Sequence, residues 1–394
     1  MRCAVRSLQS ALLATWCLAG AAQARTIPIP GGEALPALKM HVFHAAPGEP
    51  ATERASDARV VSVEREGAKP LEMRVFSGPS AAPVRHRADA EPEIAGEIPK
   101  KPDSKRQYEF DYSLSSGYRR DRLNWNIASL TGNPNVLSEL EWTDIRSAQL
   151  AGQAEITTPR GWHFDGKLGY AWVVDGDNQD SDFLGNDRTL EFSRSNNKAD
   201  KGHMLDASLG VGHSFFIPMG NDPNRLSIIP MAGYSYQEQN LRIQDGRQTI
   251  SAYGFPVPLG PFDGLDSSYD TRWHGPWLGL KFRARLLPGL RLSLWSEYHW
   301  ADFHAEADWN PRQDFQHPKS FSHDADGEGV RAGGSIDYAI TPRLSLGVRG
   351  DYQNWNTDDG KDKTFFVDGA AVTTRLNEVQ WEAFSASIGL TYRY

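Results

Sequence analysis

Cysteine is almost missing from this chain of 394 residues, and its two copies, Cys3 and Cys17, both lie within the first 17 positions. A product cleaved beyond them has no thiol, no disulfide and no thiolate-held metal, and no metal site is expected. Long apolar runs are missing as well. The longest, Ala11 to Ala22, falls short of the roughly 20 residues that a helix needs to cross a bilayer. Basic excess is the third absence: 42 Lys and Arg stand against 50 Asp and Glu, for a formal net charge of -8. That balance argues against nucleic acid as a partner and suits cationic ones. A mean hydropathy of -0.53 excludes a bundle of membrane helices. It leaves room for a barrel, in which only alternate residues meet lipid.

The N-terminus holds Arg2 and Arg6, then the apolar stretch, then Ala22-Gln23-Ala24. This reads as a secretory signal peptide over residues 1–24. Trp16, directly before Cys17, speaks against a lipid-anchor cleavage site. Residues 25–105 are rich in Pro, Ala, Glu and Arg without a sustained period, and are expected to form a mobile periplasmic segment.

From about residue 106 the pattern changes to strands. In the last one, Phe384, Ala386, Ile388, Leu390, Tyr392 and Tyr394 alternate with Ser385, Ser387, Gly389, Thr391 and Arg393. A greasy face opposite a wet one fits a strand with lipid on one side and a polar lumen on the other. Short Pro- or Gly-bearing turns fall at 157–160, 218–224, 287–289 and 341–343, and long polar stretches at 119–138, 174–202, 243–268, 304–328 and 357–379. Four short turns and five long loops require ten strands, with short turns on the periplasmic side. The expectation is an all-β protein, a ten-stranded antiparallel transmembrane β-barrel of the bacterial outer membrane over residues 106–394, closed by its last strand against Glu109 to Leu114. Arg283, Arg285, Arg291, Glu297, Arg349 and Asp351 are expected to fill the lumen as structural pairs. Trp125, Trp142, Trp172, Trp273, Trp277, Trp300, Trp355 and Trp381 sit near strand ends, where an aromatic girdle belongs.

The second long stretch carries Asp175, Asp177, Asp180, Asp182 and Asp187. Three readings stand side by side: solvated charge, oxygen ligands for calcium without the Gly and Glu of an EF-hand loop, or a carboxylate pair that shares a proton and activates water.

Several stretches point to one of them. Leu137-Ser138-Glu139-Leu140-Glu141-Trp142, Gln179-Asp180-Ser181-Asp182-Phe183, Tyr269-Asp270-Thr271-Arg272-Trp273, Asp337-Tyr338-Ala339-Ile340-Thr341-Pro342 and the closing Gly389-Leu390-Thr391-Tyr392-Arg393-Tyr394, in this order on a ten-strand plan, resemble the omptin family of outer-membrane proteases. The resemblance implies an endopeptidase that cuts near basic residues. Its water-activating pair falls on Asp180 and Asp182, its dyad aspartate on Asp308, and its pocket for a basic side chain on Asp121 and Glu306. It implies no cofactor beyond lipopolysaccharide, held on the outer surface at Arg272, Tyr236 and Glu238, and a monomer in outer-membrane lipid. The dyad histidine, however, falls on Asn310. Imidazole passes protons near neutrality and an amide does not, and such help is typically worth roughly 10² to 10⁴ in rate. Asp302-Phe303-His304 offers the same spacing six residues earlier, which makes His304 the substitute. His317 and His323 lie further along the same stretch. Two alternatives follow from Asn310 and from the basic lumen: a barrel of this plan that binds or adheres without cleaving, and a narrow porin.

Overall fold

The computed structural model describes residues 107–219, 222–255 and 257–394. The expected signal peptide and the segment 25–105 lie outside the described residues. The described chain is all β: β1 (Glu109–Ile127), β2 (Ser138–Thr157), β3 (Trp162–Gly185), β4 (Thr189–His213), β5 (Phe215–Met219), β6 (Asp222–Ser251), β7 (Gly260–Pro261), β8 (Asp266–Leu287), β9 (Leu290–Asp308), β10 (Phe321–Ala339), β11 (Leu344–Thr357), β12 (Gly360–Phe365) and β13 (Ala371–Arg393).

Ten of these form a closed antiparallel ring in the order β1-β2-β3-β4-β6-β8-β9-β10-β11-β13, and the short β5, β7 and β12 attach to it. Closure runs from Asp111 opposite Arg393 through Leu114 opposite Leu390 to Ile127 opposite Leu376. The barrel and its closing pair match the sequence expectation. At the short-turn end the boundaries do too. Between β8 and β9, Pro288 presets φ and Gly289 adopts a φ of 81°, the Pro-Gly order that a tight reversal wants.

At the other end the strands run on. β3 and β4 meet at Asn186-Asp187-Arg188, so the second long polar stretch is a strand hairpin and not a loop. The cause is a switch of apolar face along each strand. On β1, Leu114 and Tyr118 point out while Ser113 and Ser115 point in; higher up, Leu123 and Trp125 point in and Arg120 and Arg122 point out. On β8, Leu278 and Leu280 point out, then Tyr269 and Trp273 point in. Where lipid surrounds the barrel the outer face must be apolar, and where water surrounds it the interior must be. The period of two persists through the switch.

Tyr118, Trp172, Tyr234, Trp300, Tyr352 and Phe384 form the exposed upper girdle, and Tyr108, Trp162, Tyr338, Tyr392 and Tyr394 the lower one. From Phe110 to Tyr118 a strand covers about the 9–11 residues that a tilted crossing takes. Of the eight tryptophans expected in the girdle, only Trp172 and Trp300 are there. Trp125, Trp142, Trp273, Trp277, Trp355 and Trp381 are buried inside. Most of them join Leu123, Leu140, Ile145, Tyr269, Phe303 and Phe321 in one core that fills the barrel above the membrane. Trp355 stacks on Trp381 at 5.6 Å and 18°, and Trp142 on Tyr269 at 5.1 Å and 19°.

Below this core the lumen is polar and paired. Lys167 meets Glu297 at 2.8 Å, Arg331 meets Asp351 at 3.0 Å, Arg291 meets Asp111 at 2.9 Å, and Arg283 pairs with Glu155. Structural filling was the expectation for these charges. The aromatic layer lies above them in the interior.

Candidate functional site

β3 carries Asp180 and Asp182 above the girdle with both side chains on the inner face, since residues two apart on a strand share a side. Asp180 lies between Leu140 of β2 and Ser195 of β4; Asp182 lies between Ser138 and Ser193. Burial beside apolar Leu140, then the charge of Asp182, pushes the Asp180 carboxyl well above the usual carboxylate range. Burial also raises Asp182, opposed by hydrogen bonds from Ser138 and Ser193 and by the positive Arg312. The pair therefore holds a proton under conditions in which a free aspartate has lost it. Asn178, Asn197, Ser195 and Gln248 continue the polar patch: Asn197 donates to Asn178 at 2.9 Å and Gln248 to Ser193 at 3.0 Å.

The other aspartates of the run go elsewhere. Asp175 pairs with Arg146 at 3.0 Å and Asp177 with Lys198 at 2.6 Å, both outside, and Asp187 accepts from Asn135 at the hairpin tip. A shared calcium site is thereby excluded for them. Among the described residues, a metal-ligating group converges only at Glu155, His163 and Asp165 low in the lumen. There the Lys281 ammonium pairs with both carboxylates, 2.7 Å from Asp165, and takes the cation's place.

The opposite wall differs from the expectation. On β9 the inward residues are Phe303, Ala305 and Ala307, all buried, and the alternation turns Asp302, His304, Glu306 and Asp308 outward. His304 Nδ1 lies 2.7 Å from Asp324 Oδ1, and its Nε2 lies 3.3 Å from Glu306 Oε1. Lys319 donates to Glu306 at 2.6 Å and, with His304, holds that carboxyl below its usual range. Asp308 Oδ1 lies 2.5 Å from His317 Nδ1. Asn310 is a clamp: its Oδ1 accepts from the Asp266 amide at 2.9 Å and the Ser267 hydroxyl at 3.0 Å, and its Nδ2 donates to the Gly264 carbonyl at 2.6 Å. Asp180 and Asp182 thus share a face with one another and not with Asp308, Glu306 or His304.

Asp121 is buried beneath the aromatic core. It accepts from Arg119 at 2.9 Å and from Trp381 Nε1 at 2.9 Å, so the basic group it holds is the chain's own. His323 is likewise interior, packed against Trp125, with Nδ1 2.9 Å from the Tyr269 hydroxyl and Nε2 3.3 Å from Asp362. Arg272, Tyr236 and Glu238 are brought together on the outer face just above the girdle. Glu238 lies opposite Arg272 in register, and the Tyr236 hydroxyl donates to Glu238 at 2.5 Å.

Sequence alone misses Arg312, the cation that Asp182 senses. It donates to Asp314 at 2.8 and 2.7 Å and covers the Phe315 ring at 4.0 Å. An arginine in a polar hairpin carries no signal that it will lean toward a carboxylate on another strand.

Comparison with known proteins agrees with this architecture. The family described as Protochlamydia outer membrane protein matches residues 113–394, the whole ring of strands save its first few residues. The chain belongs to that family. A Protochlamydia outer membrane protein is accordingly placed in the bacterial outer membrane, in contact with its lipid. The outer membrane protease OmpT from Escherichia coli shares the fold at a TM-score of 0.60, covering 73% of this chain and 97% of that one, at 14% identity. The outer membrane protein OprG from Pseudomonas aeruginosa is more distant, with a TM-score of 0.28 and 10% identity over 72% of this chain and 95% of that one. A major outer membrane protein from Thermus thermophilus is similarly far, with a TM-score of 0.28 and 13% identity over 73% of this chain and 100% of that one. No curated protein matches the chain.

Proposed function

We propose that this protein displays an acidic outer half that binds cationic peptides or proteins, and that it does not cleave what it binds. The observation that carries the reading is the facing of β9: Glu306 and Asp308 point away from the side that Asp180 and Asp182 occupy, while Asn310 is held by three hydrogen bonds. The imidazoles of His304, His317 and His323 bond to Asp324, Asp308 and Tyr269, not to the aspartate pair. Charge supports the binding half. In the parts of the strands and hairpins above the upper girdle (120–146, 175–202, 237–272, 302–328 and 354–382) there are 29 acidic and 15 basic residues. A field of that sign draws cations in and weakens with salt.

Lipopolysaccharide is the lipid partner in this reading, with Arg272 presenting its planar fork to a headgroup phosphate beside Tyr236 and Glu238. In this reading the barrel, closed by one chain, acts as a monomer.

The test uses folded protein with lipopolysaccharide, a fluorescent oligo-arginine peptide and a dibasic fluorogenic peptide. Salt-sensitive binding without cleavage is expected. A second reading, omptin-like proteolysis, is favoured by one observation, the 2.5 Å contact of His317 with Asp308. Cleavage that disappears in both Asp180→Ala and His317→Ala would establish it and remove the first.

A further inference from the structure

We propose that the periplasmic half of the lumen binds a small oxyanion of the phosphate or sulfate type on Arg349. Below the aromatic core lies a partly open cavity of about 50 Å³, lined by Lys281, Arg283, Arg291, Arg349 and Arg393. Four of these cations have carboxylate partners. Lys281 and Arg283 take Glu155, Lys281 also takes Asp165, and Arg291 and Arg393 share Asp111 at 2.9 and 3.3 Å. Among the described residues Arg349 has none. Its Nη2 donates to the amide oxygen of Gln153, and its guanidinium lies 4.9 Å from the Trp295 ring centroid.

The neighbouring acids bond to groups other than Arg349. Asp337 accepts from Ser335 at 3.2 Å and Thr391 at 3.3 Å, and Asp206, in the layer above, shares Arg119 with Asp121, at 2.5 and 2.9 Å. The cavity wall carries five cations beside Asp111, Glu155 and Asp337, with Asp165 behind Lys281. A half-buried guanidinium without a direct carboxylate partner has donors left for a further acceptor. A guanidinium braced on an aromatic face keeps its remaining N–H groups fixed, which suits a tetrahedral oxyanion. Ser115 and Ser335 line the same space with further hydroxyl donors. The ligand class is set by that donor set and by the modest room: a free anion from the periplasm, not a lipid or a polymer.

The experiment is calorimetric titration of the folded full chain in detergent with sodium phosphate and, separately, sodium sulfate at constant ionic strength. Saturable binding of at least one anion is expected, weakened roughly tenfold or more in Arg349→Met. Arg349→Gln, which keeps a donor toward Gln153, should lose binding in the same way and serves if the methionine variant does not fold. Arg120→Met, on the outer face beside Asp144, should bind as the parent does. No saturable binding by the parent, or undiminished binding by a folded Arg349 variant, overturns the proposal.

Discussion

At the scale of single residues, two positions decide how the outer end behaves. Asn310 occupies the place where the omptin resemblance sets a histidine, and its amide uses both oxygen and nitrogen to tie the segment around Gly264–Ser267 to the end of β9. An imidazole cannot donate and accept in that geometry. Asn310→His is therefore expected to create no peptidase activity and to lower stability by about 1–3 kcal/mol, read by urea unfolding alongside a dibasic peptide assay. Asp180 tests the electrostatics. Its carboxyl titrates well above the usual range in the folded state, so between the unfolded value near 3.8 and the folded one the native protein binds the extra proton. Its contribution to stability is present at low pH and lost as pH rises. Asp180→Asn should therefore stabilise the protein near pH 7, and the gain should vanish at about pH 4 and below, as paired unfolding curves would show.

At the scale of elements, each long strand is a membrane segment continued by a soluble one. β8 shows it in a single run: Leu278 and Leu280 face lipid while Lys281 and Arg283 face the lumen, then Trp273 and Tyr269 turn inward while Arg272 and Asp270 meet water. The inward aromatics need room, and small partners provide it. A Cβ on Gly329 would come within 2.3 Å of the Trp355 ring, and one on Gly233 within 2.5 Å of Trp277. Trp355→Ala is expected to cost about 3–5 kcal/mol, the range for emptying a large buried side chain, and Trp300→Ala, on the outer girdle, distinctly less. Urea titration in liposomes compares the two, and equal costs would contradict the assignment of Trp355 to the core.

At the scale of the whole molecule, the barrel is a closed wall with a polar vestibule below and an aromatic stopper above. Planar-bilayer recordings of the folded chain should show no steady conductance, since Trp142, Tyr269, Trp273, Trp355 and Trp381 pack into the upper interior. The same division separates charge: the acidic surplus stands outside, and the basic cluster lies inside toward the periplasm. On the two proposals above, cationic ligands meet the outer end and small anions the inner one.

The strand count, the closing pair and the short turns were legible in the sequence because hydrophobic alternation and Pro-Gly punctuation are local signals. Phe384 to Tyr394 and Pro288-Gly289 carry them without help from the rest of the chain. Asp180 and Asp182 were singled out by their spacing and by the omptin resemblance, but their stretch reads as a loop, and their common inner face came only with β3. What the chain could not disclose locally was which medium surrounds each stretch. An alternating segment reads the same whether its apolar side meets lipid or a core, so Trp125, Trp273 and Trp381 looked like girdle residues and the upper strands looked like loops. Only the closed ring decided that, by placing the apolar side of the lower strands outward and that of the upper strands inward. It also decided the facing of β9. The order of Glu306, Asp308 and Asn310 is a property of the sequence; the side of the wall on which each lies depends on the register of β9 against β8 and β10.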